Sequence, residues 1–68
     1  GVNVEVRTVL HVGDKVHLTP SKARKTVRDS LKAQYPGVTG IIVTDTHHEA
    51  DESSGEPYTQ FVATGEVA

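Results

Sequence analysis

Valine alternates with polar residues at the start of the chain, in residues 2–10, VNVEVRTVL. Val2, Val4 and Val6 would all point to one side of an extended backbone, because successive side chains of a strand face opposite ways. A period of two is typical of a strand that has one buried face. The alternation breaks at residues 9–10, and this predicts a bulge or a bend there.

The small size of the chain limits the fold further. The 68 residues suffice for one domain, residues 1–68, and a chain of this length buries only about 60% of the surface that it exposes when unfolded. It contains no cysteine, which excludes disulfides and thiolate metal sites. Eleven valines and eight threonines favour β structure. We therefore expect either a well-packed small β fold or one that is stabilised by association with a partner.

One helix is predicted over residues 21–34, which contain no glycine or proline. Thr19 and Ser21 are equally good N-caps, and Pro20 suits the first helical position. Pro36 and Gly37 would end the helix. Three apolar residues recur every four positions and predict a narrow buried stripe: Ala23, Val27 and Leu31.

Further strands are predicted on both sides of this helix. A turn at Gly13–Asp14 leads into a strand at 15–19, and the most apolar strand covers 38–44. Another covers 58–64, with Phe61 and Ala63 on one face; Gly65–Glu66 would then turn the chain into a short last strand at 67–68. Residues 45–57 contain no Val, Leu, Ile or aromatic side chain, and they are predicted to form a long acidic loop.

Two segments resemble the opening of SH3-like barrels of the KOW and Tudor type: residues 12–16, VGDKV, and residues 36–43, PGVTGIIV. The glycine–aspartate turn and the G-x-x-G step of Gly37 and Gly40 carry the resemblance, and residues 58–62 fit the next hairpin. It implies a mainly β fold, a small SH3-like five-stranded barrel with one inserted α-helix at about residues 21–34. The helix replaces the first long loop of that family, and three aromatic residues are too few for a methyl-lysine cage.

Charge is segregated along the sequence. Five of the seven basic residues lie on the predicted helix, namely Lys22, Arg24, Lys25, Arg28 and Lys32. Five of the nine acidic residues lie in or beside the acidic loop, and Asp51 and Glu52 are at its centre. These seven residues are the predicted partner-binding residues. The basic set could simply be a solvated helix face, or it could bind phosphates or an acidic protein surface. Contact between the helix of one copy and the loop of the next is a further alternative.

Metal binding and catalysis are not predicted. His47 and His48 are neighbours and would point to opposite faces of a strand, so they rarely bind one ion together with Glu49 and Asp51. The sequence contains no nucleophile elbow, no P-loop and no dinucleotide fingerprint. His11 and His17 are expected to be strand residues rather than a catalytic pair. No cofactor and no small-molecule substrate are expected.

These patterns favour a non-catalytic assembly or adaptor module, a small structural subunit of a larger complex. A phage virion protein at the head–tail junction or on the capsid is one class with such barrels. The alternative is a nucleic-acid-binding module like KOW domains that uses the basic helix. No window reaches the roughly 18 apolar residues of a membrane span. We expect a soluble, non-secreted protein, cytoplasmic or in a virion, that binds a protein partner or further copies of itself.

Overall fold

Three strands and one helix make up the fold in a computed structural model, which describes residues 1–11, 19–49 and 55–68. The elements in chain order are β1 (Val2–His11), α1 (Pro20–Gln34), β2 (Thr39–His48) and β3 (Tyr58–Val67). The strands form one antiparallel sheet in the order β1-β3-β2. The helix packs on one face of this sheet, mainly over β1 and β3.

The last strand lies in the middle of the sheet. Both β1 and β2 pair antiparallel with β3, so they run parallel to each other on its two sides. α1 connects these two outer strands, and the arrangement is therefore a split β-α-β unit. The two outer strands are brought together only through β3.

The predicted five-stranded barrel, and with it the KOW and Tudor resemblance, is wrong: the described residues form an open three-stranded sheet. Within the described residues, the strands are longer and fewer than predicted. β2 continues through residues 45–48, which were assigned to the acidic loop, and β3 continues through the predicted turn at Gly65–Glu66. These polar segments remain extended because β3 pairs with both of them. Residues 12–18, which include most of the predicted strand 15–19, lie outside the described residues.

β1 is regular along its whole length. It pairs with β3 from Val2 opposite Val67 to His11 opposite Tyr58, without a shift. The bulge or bend predicted at residues 9–10 is therefore absent from this ladder. Leu10 is buried and Val9 is 41% exposed on the other face, so two apolar neighbours are compatible with a straight strand.

Thr19 is the N-cap of α1. Its side chain accepts a hydrogen bond from the Lys22 N–H at 3.2 Å, and Pro20 follows at the first position of the helix. The structure thus decides between the two predicted caps in favour of Thr19. At the other end, the Tyr35 N–H donates to the Leu31 carbonyl at 2.9 Å. The predicted helix is confirmed and begins one residue earlier than expected.

The core lies between the helix stripe and the sheet. All three residues of the predicted stripe are buried, and the other buried apolar side chains among the described residues are Leu10, Phe61 and Ala63. Phe61 is the largest of these side chains, and the prediction that Phe61 and Ala63 share a face is confirmed by their burial. Half-buried side chains surround this cluster: Val4, Val6, Tyr35, Val38, Ile41 and Val43.

Gly65 is required by close packing. It is buried in β3, and a Cβ atom at this position would lie 2.5 Å from Val38 Cγ2 and 3.2 Å from the Thr39 carbonyl oxygen. A side chain at position 65 would therefore force Val38 and the start of β2 to shift.

We expect Thr19→Ala to destabilise the protein by about 1 kcal/mol, because the Lys22 N–H loses its acceptor. Chemical denaturation followed by circular dichroism measures this change. Ser21→Ala is the matched control and should leave the free energy of unfolding almost unchanged. Equal losses in the two variants would contradict the assignment of Thr19 as the cap.

We expect Gly65→Ala to cost about 1–3 kcal/mol, because the added methyl group overpacks the contact with Val38 and Thr39. The same denaturation measurement applies. Glu66→Ala, at an exposed neighbour in β3, should change stability by no more than about 0.5 kcal/mol. A Gly65→Ala protein as stable as the wild type would show that β2 can move away at no cost.

Candidate functional site

The basic helix face lies on the solvent side of α1, away from the buried stripe. All five predicted basic residues are exposed, but Arg24 differs from the other four. Its guanidinium lies 3.6 Å from an Asp45 carboxylate oxygen and 5.9 Å from the ring centroid of Phe61. Arg24 is therefore held at the flank of the helix against the sheet. We define the basic helix face as the other four residues: Lys22, Lys25, Arg28 and Lys32.

These four residues keep their charges available. No carboxylate among the residues that the structure describes lies within ion-pair distance of any of them. Asp29 is the one acidic side chain on the same exposed side of the helix, and it partly offsets their charge.

The acidic pole predicted for residues 45–57 is described only in part. Asp51 and Glu52 lie outside the described residues. Asp45 is in β2 and pairs with Arg24, so at this point an acid meets the helix of its own chain. Glu49 lies 3.1 Å from His47 Nε2. Asp45 and Glu49 thus make local contacts, with the helix and with His47 of β2 respectively.

The second exposed surface is the open sheet face, which is the side of the sheet opposite α1. Three aliphatic side chains on it run diagonally across the strands: Val9 in β1, Val62 in β3 and Ile42 in β2. Val9 pairs with Gln60 of β3, and Ile42 pairs with Thr64 of the same strand. Val62 lies between these two positions, two residues from each. Such diagonal neighbours are about 7–8 Å apart. Ile42 is 62% exposed and Val9 is 41% exposed.

Polar groups flank this diagonal. Arg7 Nε donates to Glu5 Oε2 at 2.5 Å, and both side chains belong to β1 on the open sheet face. This hydrogen bond, together with the attraction of the Glu5 charge, raises the pKa of Arg7. The pair is exposed, so it lies within reach of another molecule.

Three rings cross one end of the open sheet face, because His11, Tyr58 and His48 are aligned in the ladder. His48 stacks on Tyr58 with 4.6 Å between centroids, and His11 lies 5.9 Å from Tyr58 at a tilt. The rings contact one another across the strands. His47 is on the opposite side, hydrogen-bonded to the Thr59 hydroxyl at 3.2 Å.

Potential metal ligands are not clustered in the described part of the chain. Within residues 1–11, 19–49 and 55–68, no three His, Cys, Asp or Glu side chains are grouped so that they could hold an ion. An open depression at the irregular start of β2 is lined by Asn3, Thr39, Ile42 and Thr64, with Glu66 as its carboxylate. A single carboxylate beside threonines is not an acid–base pair.

The diagonal of Val9, Val62 and Ile42 was not predicted from the sequence. Val9 was interpreted as part of a break in the alternation, and Ile42 as part of the strand at 38–44 with no face assigned to it. The sequence does indicate the exposed face for Val9. Its residue number is odd, like those of Asn3, Glu5 and Arg7, and alternate residues of a strand share one face. For Ile42 the signal is weaker, since the run Ile41–Val43 is apolar on both faces.

Within the part of the chain that the structure describes, no helix is long and apolar enough to cross a membrane. Comparisons of the chain with protein families, with curated proteins and with solved structures gave no match. Its function must therefore be inferred from the two surfaces described above.

Proposed function

We propose that the protein is a non-catalytic assembly module that binds a protein partner through the open sheet face. The observation that carries this proposal is the aliphatic diagonal of Val9, Val62 and Ile42 on the side of the sheet that α1 leaves uncovered. Apolar side chains grouped on a face and bordered by polar ones are typical of protein-binding surfaces.

The energetics support the same function. Fully burying one valine or isoleucine side chain contributes about 1.5–3 kcal/mol. Val9, Val62 and Ile42 are already partly buried, so covering the diagonal would add a part of this for each, a few kcal/mol in all, to a fold whose described residues include six buried apolar side chains. Small domains are stable by only about 5–15 kcal/mol, so a partner on this face would be a large part of the total.

The polar border suits a protein better than a polyanion. Glu5 and Arg7 neutralise each other beside the diagonal, so the open sheet face has no excess of positive charge. A phage virion is one setting for such a subunit. That suggestion came from an analogy with small barrels, and without the barrel it remains a prediction with no further support from the fold.

Nucleic-acid binding through the basic helix face is the second candidate. Its support is the four exposed cations without a described acidic partner. Two observations weaken it: Arg24 is occupied by Asp45, and Asp29 lies among the remaining cations. The KOW-like fold that first suggested this function is absent.

We expect Ile42→Asp to abolish partner capture, because a carboxylate in the aliphatic diagonal would be desolvated on binding. The experiment compares proteins retained by the immobilised wild type and variant from extracts of the native source, identified by mass spectrometry. Ser21→Asp is the matched control, since it adds the same charge on the helix. A partner retained equally by the wild type and by Ile42→Asp would contradict docking on this face.

The double variant Lys25→Glu/Arg28→Glu separates the two candidates. For an assembly module we expect its affinity for DNA and RNA at low salt to equal that of the wild type. If the helix neutralises phosphates, the log–log salt slope should instead fall by about two in the variant, close to one unit per lost contact. Fluorescence anisotropy with labelled oligonucleotides at several salt concentrations measures both quantities.

A further inference from the structure

The two edges of the sheet differ. β2 is irregular at its start: its pairing with β3 shifts between Thr39 and Ile42, and Gly40 has a positive φ of 64°. Such bulges protect an edge strand from pairing with another chain. β1 has ten regular residues, Val2–His11, and contains no proline, glycine or lysine. Among the residues that the structure describes, none pairs with its outer edge. Among these residues, no strand covers the outer edge of β1 and no bulge interrupts it, so its two charged side chains, Glu5 and Arg7, decide what can pair with it.

The charges of β1 favour one particular partner. Glu5 and Arg7 lie on the same face, two residues apart. In an antiparallel pair of two β1 strands centred on Val6, Glu5 of each copy lies opposite Arg7 of the other. Moving the centre by one residue would place Glu5 opposite Glu5 or Arg7 opposite Arg7. Opposite charges across strands stabilise a pair and like charges destabilise it, so the sequence of β1 selects the register centred on Val6.

We propose that β1 pairs with β1 of a second copy about a two-fold axis at Val6, joining two three-stranded sheets into one continuous sheet. This inference goes beyond the function proposed above, because it names a second copy as a partner and uses the edge of the sheet instead of its open face. The contact is self-complementary, as a two-fold interface requires.

The same register keeps each face of the joined sheet consistent. Val4 lies opposite Thr8 of the partner on the helix side, and Asn3 lies opposite Val9 on the other side. Residues directly opposite in an antiparallel pair point to the same face, so the half-buried valines of both copies remain under the helices. The main-chain groups of β1 that point away from β3 gain hydrogen-bond partners.

The helices leave room for this pairing. α1 packs about equally on β1 and β3, so the helices of two joined copies would lie two strand spacings apart, about 10 Å. Helices pack at 8–10 Å when small residues separate them. The Arg24 side of α1 faces β2, because Arg24 contacts Asp45. The opposite side, which would face the second copy, carries the small residues Thr26, Ser30 and Ala33.

A charge-complementation experiment tests the pairing. E5R gives β1 two positive residues and R7E gives it two negative ones. Each variant alone should dimerise about tenfold more weakly than the wild type, because both cross-strand pairs become repulsive. An equimolar mixture should recover dimers of wild-type affinity, since E5R then lies opposite R7E. In the mixture, positions 5 and 7 of each chain still carry like charges. Recovery of the dimer can therefore come only from contacts between the two chains. Analytical ultracentrifugation measures the dissociation constants, and circular dichroism verifies that each variant is folded.

Cysteine crosslinking tests the register. The chain has no cysteine, so every crosslink comes from introduced residues. Cα atoms directly opposite in an antiparallel pair are about 4.5–5.5 Å apart, which suits a disulfide. A mixture of N3C and V9C should give the mixed disulfide dimer several times faster than either variant alone gives its own dimer.

Three results would overturn the inference: a wild type that is monomeric at every soluble concentration, dimers unaffected by E5R and by R7E, or the absence of the mixed crosslink. Ile42→Asp should leave the β1 dimer intact, because Ile42 lies in β2. Loss of partner capture on Ile42→Asp in a protein that never dimerises would leave the open-face function standing and refute the edge pairing alone. If the dimers weaken in E5R and in R7E and recover in the mixture, but no partner is captured, the edge pairing would stand and the open-face function alone would be refuted.

Discussion

The contact between the helix stripe and β3 determines the rest of the structure. Ala23, Val27 and Leu31 are buried against the face of β3 that carries Phe61 and Ala63. Each outer strand is in the sheet because it pairs with this central strand, and the helix covers the same strand from above. A glycine at position 65 lets Val38 and Thr39, at the start of β2, approach this central strand closely. Removing volume from the contact would loosen all four elements together.

One helix covers only one face of a sheet, and both proposals follow from that geometry. The uncovered face bears aliphatic side chains that a larger protein would bury, and the regular edge of β1 has main-chain groups that a further strand would satisfy. The cations of α1 point away from both surfaces. Under the two proposals, the open sheet face and the edge of β1 would be occupied by different molecules, and neither contact would use the cations of α1.

Local patterns in the sequence predicted the elements that depend on local interactions. The helix, its buried stripe and the shared face of Phe61 and Ala63 follow from periodicity alone. The lengths of the strands do not follow from local patterns. Residues 45–48 are polar and extended because they pair with β3, and Gly65–Glu66 are turn-forming and extended because they pair with the outer strands. The barrel was inferred from short glycine motifs, and these do not encode how many strands meet. Of the candidate surfaces, the basic helix face was predicted from spacing, whereas the aliphatic diagonal needed the register of three strands.

The order of the strands also has a consequence for how the chain acquires its structure. β3 can pair with β2 through the short connection between His48 and Tyr58. However, β1 is distant from β3 in the sequence, with pairs such as Val2 and Val67, so a long loop must close before the three-stranded sheet is complete. Loop closure of this kind raises the entropic barrier and slows folding relative to helical proteins of similar size. On the ribosome, β1, α1 and β2 would emerge before β3, the strand with which both outer strands pair, and the sheet would form only after β3 has left the exit tunnel. Until then the valines of β1 would remain exposed to chaperones or to other nascent chains.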